Sequence, residues 1–171
     1  GLPFLCKTKQ IANLYKEVKI MQSQKKIRIS GRQTCACNRL ERTDVGDIEG
    51  HMVSYIVSEG VNVSTGDTAF FNGAQLTSVI TSDIVYFNGV FQGYTKFSHK
   101  GDNLVSKFEG KIKNTLSAEG NHVQSMEGNF SFIHGTGKSE NIKGTGTLTS
   151  RYMSRIIYVN DWEGEYWIEM E

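Results

Sequence analysis

Proline occurs once in this 171-residue chain, at Pro3, and no Pro-rich or Ser-rich linker interrupts it, so composition marks no boundary between domains. Net charge is nearly absent as well. Nineteen Lys and Arg stand against 18 Asp and Glu, which leaves no global field to draw nucleic acid or an anionic membrane. Long apolar runs are missing: none approaches the roughly 18 residues of a membrane span, which predicts a soluble chain with no membrane partner. Cysteine is scarce. Cys35 and Cys37 lie two apart and Cys6 stands alone, an odd set that makes no disulfide framework and favours a reducing, cytoplasmic compartment. Gly1 in place of Met is what a removed leader or a tag remnant leaves, and the sequence does not choose between them.

Glycine, in contrast, is plentiful at 18 residues, and its placement organises the chain. Between Met126 and Gly146, Met126, Gly128, Phe130 and Phe132 fall on one face of a strand, and Glu127, Asn129 and Ser131 on the other. An apolar residue two positions before a glycine recurs at Ile48 and Gly50, Phe91 and Gly93, Phe108 and Gly110, Ile142 and Gly144, and Trp162 and Gly164. From Gly93 onward the glycines are spaced by roughly 16 to 20 residues, about one strand plus one turn. Glycine inside a strand sacrifices packing and backbone entropy. Bending of a closing sheet, with space left for facing aromatics, explains that cost.

Residues 7–23 carry Ile11, Leu14, Tyr15 and Val18 at helical spacing and predict one amphipathic helix, packed as a strap on the outside of the sheet. Strands are predicted over 26–37, 50–63, 104–116, 123–133, 140–149 and 155–169, with residues 38–47 charged and irregular. Asn72-Gly73 and Asn88-Gly89 give the strongest hairpin signals, because both central residues of a type I′ turn need positive φ. Further turns are placed at 100–103, 119–121, 135–137 and near Ser150. Eight or nine antiparallel strands joined by short turns predict an up-and-down barrel. Eight enclose room for side chains or one small ligand.

Strand 104–116 is the most legible for facing, with Leu104, Ser106, Phe108, Gly110, Ile112, Asn114 and Leu116 alternating with Lys107, Glu109, Lys111 and Lys113. Carried to the other strands, this parity places Ser54, Ser78, Tyr86, Phe91, Thr95, Phe130, Phe132, Leu148, Trp162 and Tyr166 inside. Glu109, Glu127 and Glu163 fall outside, which weakens any acid–base mechanism. Gly135-Thr-Gly-Lys-Ser139 imitates a phosphate loop, but Phe132 stands where the first glycine is required and no helix follows. His51, His99, His122 and His134 lie on separate segments, and Cys35-x-Cys37 has no second pair, so no metal site is predicted. The glycosylation triplets at Asn62 and Asn129 are read as chance.

The run from Phe132 through Gly135, Thr136, Gly137 and Ile142 to Gly144 resembles the Gly-Thr-Gly segment of the allene oxide cyclase-like barrels, a superfamily that includes dirigent proteins and small uncharacterised bacterial members. The resemblance covers roughly the last 80 residues, from Val90 on. It implies an eight-stranded antiparallel barrel with an apolar cavity, often assembled as an oligomer, some members of which steer cyclisation or coupling of a reactive small molecule. No catalytic residue is transferred by it.

The expectation is therefore an all-β, closed antiparallel eight-stranded, calycin-like barrel, a single domain over 1–171 with residues 1–24 packed on it as a helical segment. Its expected function is to bind a small apolar molecule, with Phe108, Phe130, Phe132, Trp162 and Tyr166 lining one interior space and Tyr86, Tyr166 or Asn114 supplying a hydrogen bond. The alternatives are an isomerase or cyclase acting by orientation, and a structural barrel filled by its aromatics. A homo-oligomer is expected through the outer face of strand 76–87, where Val79, Val85 and Phe87 would lie exposed. No nucleic acid, cofactor or metal is called for.

Overall fold

The computed structural model describes residues 9–17 and 25–169. Residues 9–17 form a helix, α1, on which Ile11, Leu14 and Tyr15 are exposed. The remainder of the expected helical segment, Val18 included, lies outside the described residues, as does Cys6.

Eight strands follow: β1 (Ile27–Asp44), β2 (His51–Ser64), β3 (Ala74–Val85), β4 (Asn88–His99), β5 (Asp102–Leu116), β6 (His122–Gly135), β7 (Ile142–Tyr152) and β8 (Ile157–Ile168). Each pairs antiparallel with its neighbour, and β1 pairs with β8, so the sheet closes into a barrel without a free edge. On the outside of the closing seam, Arg32 holds Asp161 with two hydrogen bonds of 2.6 and 3.0 Å, and Arg151 reaches the same carboxylate at 3.1 Å.

Alternation builds these strands as expected. On β5, Leu104, Ser106, Phe108 and Ile112 are buried while Lys107, Glu109, Lys111 and Lys113 are exposed. Glu109, Glu127 and Glu163 are all exposed. The aromatic rings of the inner face stand opposite glycines: Phe91 faces Gly110, Phe108 faces Gly93, Phe130 faces Gly146, Phe132 faces Gly144, and Trp162 faces Gly31. A Cβ at Gly31, Gly93, Gly110 or Gly144 would lie 2.5–2.7 Å from the facing ring, where ordinary packing needs about 3.5 Å or more. Gly31 and Gly144 are therefore room for the rings. At Gly93 and Gly110 a Cβ would lie still closer, 2.1 Å, to a backbone oxygen of the neighbouring strand, so close strand approach requires glycine there as well.

Three expectations about local structure are corrected. Asn88-Gly89 is not the turn between β3 and β4. Tyr86 and Phe87 occupy it, with φ of 48° and 66°, and Asn88 pairs with Val85 as the first residue of β4. The Asn88 side chain closes the turn instead, donating to the Tyr86 carbonyl at 3.0 Å and accepting from the Asn114 N–H at 2.8 Å. Gly89 is needed where it is because a Cβ there would strike the backbone of Asp83 and Ile84. Asn72-Gly73 closes a longer loop, 65–73, rather than a two-residue hairpin. Residues 38–44 are not irregular but continue β1 against β2, after a bulge between Cys37 and Arg39. At Lys100-Gly101 the expected tight turn is present, with φ of 50° and 88°.

Candidate functional site: the barrel interior

The two ends of the barrel differ, and the difference makes the site. At one end lie the loop 65–73, the Lys100-Gly101 turn and the β6–β7 connection. The first of these folds inward. Phe70, 6% exposed, stacks on Phe132 at 5.4 Å between centroids and lies 4.9 Å from Tyr166. Asn62, fully buried, fixes the loop by donating to the carbonyls of Phe70 (3.2 Å) and Phe71 (3.0 Å) while its Oδ1 accepts the Trp162 indole N–H at 2.9 Å. A buried amide with these partners leaves little of its hydrogen-bonding capacity unused. Burial also rules out Asn62 as a glycan acceptor in the folded chain. Leu76, Phe97 and Leu104 complete this floor.

Above the floor the barrel is hollow. A cavity of about 270 Å³ runs toward the opposite end, where Arg42, Phe87, Gln124 and Tyr152 mark its mouth. That volume, about 270 Å³, lies just below the roughly 300–1,000 Å³ of ligand pockets. Phe108, Phe130, Phe132 and Trp162 line it, as the parity of the strands led one to expect, together with Phe91, Ile112, Met126 and Leu148.

Three of the expected site residues fall elsewhere. Tyr86 is 53% exposed in the β3–β4 turn, packed over Gly50, because the turn comes two residues earlier than Asn-Gly suggested. Asn114 shares the interior parity but lies beyond the mouth, its side chain within 2.9 Å of His122 Nδ1. Tyr166 is below the cavity, against Phe70.

Facing the aromatics is a wall of hydroxyls. Register places Ser58, Ser78, Thr95 and Ser106 side by side on four consecutive strands, all buried. Ser78 Oγ and Thr95 Oγ1 bond to each other at 2.7 Å, and Ser58 Oγ bonds the Tyr158 hydroxyl at 2.5 Å. Four residues further along β2 and β3, Ser54 and Ser82 form a second hydroxyl pair. Elsewhere on the wall the Asn160 amide donates to Gln33 Oε1 at 3.0 Å. Sequence parity had placed Ser54, Ser78 and Thr95 indoors, but a row of hydroxyls is visible only once the register is known.

The interior is uncharged. Burial pushes the Cys35 thiol up to about 11, and burial likewise raises Tyr158 despite the hydroxyl of Ser58 beside it. Tyr152 is pushed up to about 12, first by burial and then by neighbouring Cys37. All three stay protonated near neutral pH, so the tyrosines serve as hydrogen-bonding groups rather than bases. Arg42 is the one cation lining the cavity among the described residues. It reaches the mouth through the β1 bulge: Arg42 pairs with Ser54 and shares its inward face, whereas an unbroken strand would have presented Glu41. No cluster of three or more metal-ligating side chains occurs among the described residues.

No protein-family model matches the chain, and no curated protein matches its sequence, so the geometry of the cavity carries the functional argument.

Proposed function

We propose that this protein binds one small, largely apolar molecule inside the barrel. The observation that carries the reading is the cavity of about 270 Å³, floored by Phe70 and Phe97 and open at the other end. A barrel filled solid by its aromatics would leave no such space. Glycines opposite Phe91, Phe108, Phe130, Phe132 and Trp162 let these rings lie back against the wall, which keeps the centre free.

The same walls serve a second reading, guided isomerisation or cyclisation of a flexible substrate. That activity would come from orientation alone, because no carboxylate, lysine or histidine lines the cavity among the described residues. The likeness to allene oxide cyclase-like barrels is compatible with either reading.

The test is a titration with an apolar fluorescent probe, monitored by tryptophan emission and repeated with Trp162→Phe to assign the signal. Saturable binding at one site per chain is expected, with a several-fold change in affinity in Phe130→Ala. Absence of saturable binding in the wild type, with Phe130→Ala losing the roughly 3–5 kcal/mol of a core truncation, would leave a structural barrel.

A further inference from the structure

The hydroxyls of the cavity wall say more about the ligand than its volume does. A barrel that needed only an apolar lining would carry Val, Leu or Ile at these positions, since a buried hydroxyl without a partner is costly. Here Ser78, Thr95 and Ser106 line the deep part of the cavity, and Ser54 and Ser82 line a level nearer the mouth. Between the two levels stands an apolar tier in which Ile56, Ile80, Phe108 and Phe130 occupy matched register positions.

Within each pair one O–H is used in the mutual bond. The second O–H and the remaining lone pairs can be offered to a third group. The levels are four residues apart along β3, about 13 Å at the usual strand rise of about 3.3 Å per residue. No acidic or basic side chain stands at the deep level among the described residues, whereas Arg42 pairs with Ser54 and stands beside the level nearer the mouth. An ionised group drawn to the deep level would lose its hydration with no counter-charge to replace it.

Resting on the binding function proposed above, we infer that the ligand has an apolar body and a polar group at each end, the deep one an uncharged hydroxyl or carbonyl. One polar end sits against Ser78, Thr95 and Ser106, and the other against Ser54 and Ser82. The body lies across Phe108 and Phe130.

The test uses the full chain loaded with the apolar fluorescent probe and displaces the probe with decanediol, decanol or decanedioate at neutral pH. The extended diol has an oxygen at each end, separated by about the distance between the two levels. The diol should bind about fivefold tighter than decanol, and decanedioate, which must bring one carboxylate to the deep level, about tenfold more weakly than the diol. The double variant Ser78→Ala/Thr95→Val removes both partners of the deep pair, a change that folded proteins tolerate better than loss of one. It should erase the advantage of the diol while the probe still binds. Decanedioate equal to the diol, a diol no tighter than decanol, or a diol advantage unchanged in the variant would each overturn the inference and leave apolar binding standing. Failure of the probe itself to bind would remove the binding function and this inference together.

Discussion

The closed end and the open end of this barrel are built from opposite uses of the same residue types. At the closed end Phe70 is turned inward and the loop around it is held by Asn62, so apolar surface and backbone carbonyls are both satisfied inside. Around the open end Ile48, Tyr86, Phe87, Leu116, Met153 and Ile156 are each more than half exposed. Non-glycine residues at positive φ occur at both ends, Tyr86 and Phe87 at the mouth and Phe71, Lys100 and Asn141 at the floor, so burial rather than backbone strain separates them. Stability is therefore concentrated at the floor, while the mouth is left adaptable, as ligand-admitting regions generally are.

The comparison is broken most severely by Phe70→Ala. It would open the floor, remove the ring stacked on Phe132, and cost about 3–5 kcal/mol in a denaturant titration. A loss below about 1 kcal/mol would show that the floor is not the stabilising end.

At the open end the expected sign is reversed. Phe87→Gly relieves a non-glycine residue held at φ 66°, and should raise stability by up to about 1 kcal/mol, less the value of the exposed ring. A clear loss of stability in the same titration would mean that Phe87 packs at the mouth more firmly than its 60% exposure indicates.

The smallest effect concerns pH. His51 links the β1–β2 loop to β3, with Nδ1 2.5 Å from Asp47 and Nε2 2.8 Å from Asp83. Hydrogen bonding to Asp47, and next to Asp83, raises its pKa above the ordinary value, and Asp47 is lowered in turn. Both ring nitrogens can donate only in the imidazolium form. The folded pKa is above the unfolded value of about 6.5, so the latch is fully present below that pH and is lost as pH rises through the raised folded value. Amide exchange across residues 45–50, corrected for intrinsic rates, should quicken over that rise in the wild type and not in His51→Asn. An identical profile in the two proteins would remove the latch.

Parity made the barrel legible. Charged residues alternating with Phe108, Phe130 and Trp162 fixed which face was inside, and a shift of two residues in a turn does not change it. That is why the misplaced turn at Asn88-Gly89 cost the position of Tyr86 but left the wall intact. The bulge after Cys37 was invisible, because one extra residue in a strand leaves no compositional mark, and Arg42 was missed with it. Asn62 and Phe70 were missed for a different reason. Their roles depend on a loop folding back into the barrel, and Ala69 to Phe71 has the composition of a strand.

The opposition of ring and glycine has a consequence for how such a pocket can change over time. A larger side chain cannot be introduced at Gly31 while Trp162 stays in place, and shrinking the ring alone leaves a gap beside bare backbone, whereas at Gly93 a Cβ would lie 2.1 Å from the Val79 carbonyl oxygen whichever ring faces it. The shape of the wall at Gly31 and Trp162 is thus inherited as a couple, one member from each of two adjacent strands. A new contour there arises by exchanging the large and small partners across the sheet, which moves the bulk from one strand to the next and keeps the total volume of the wall.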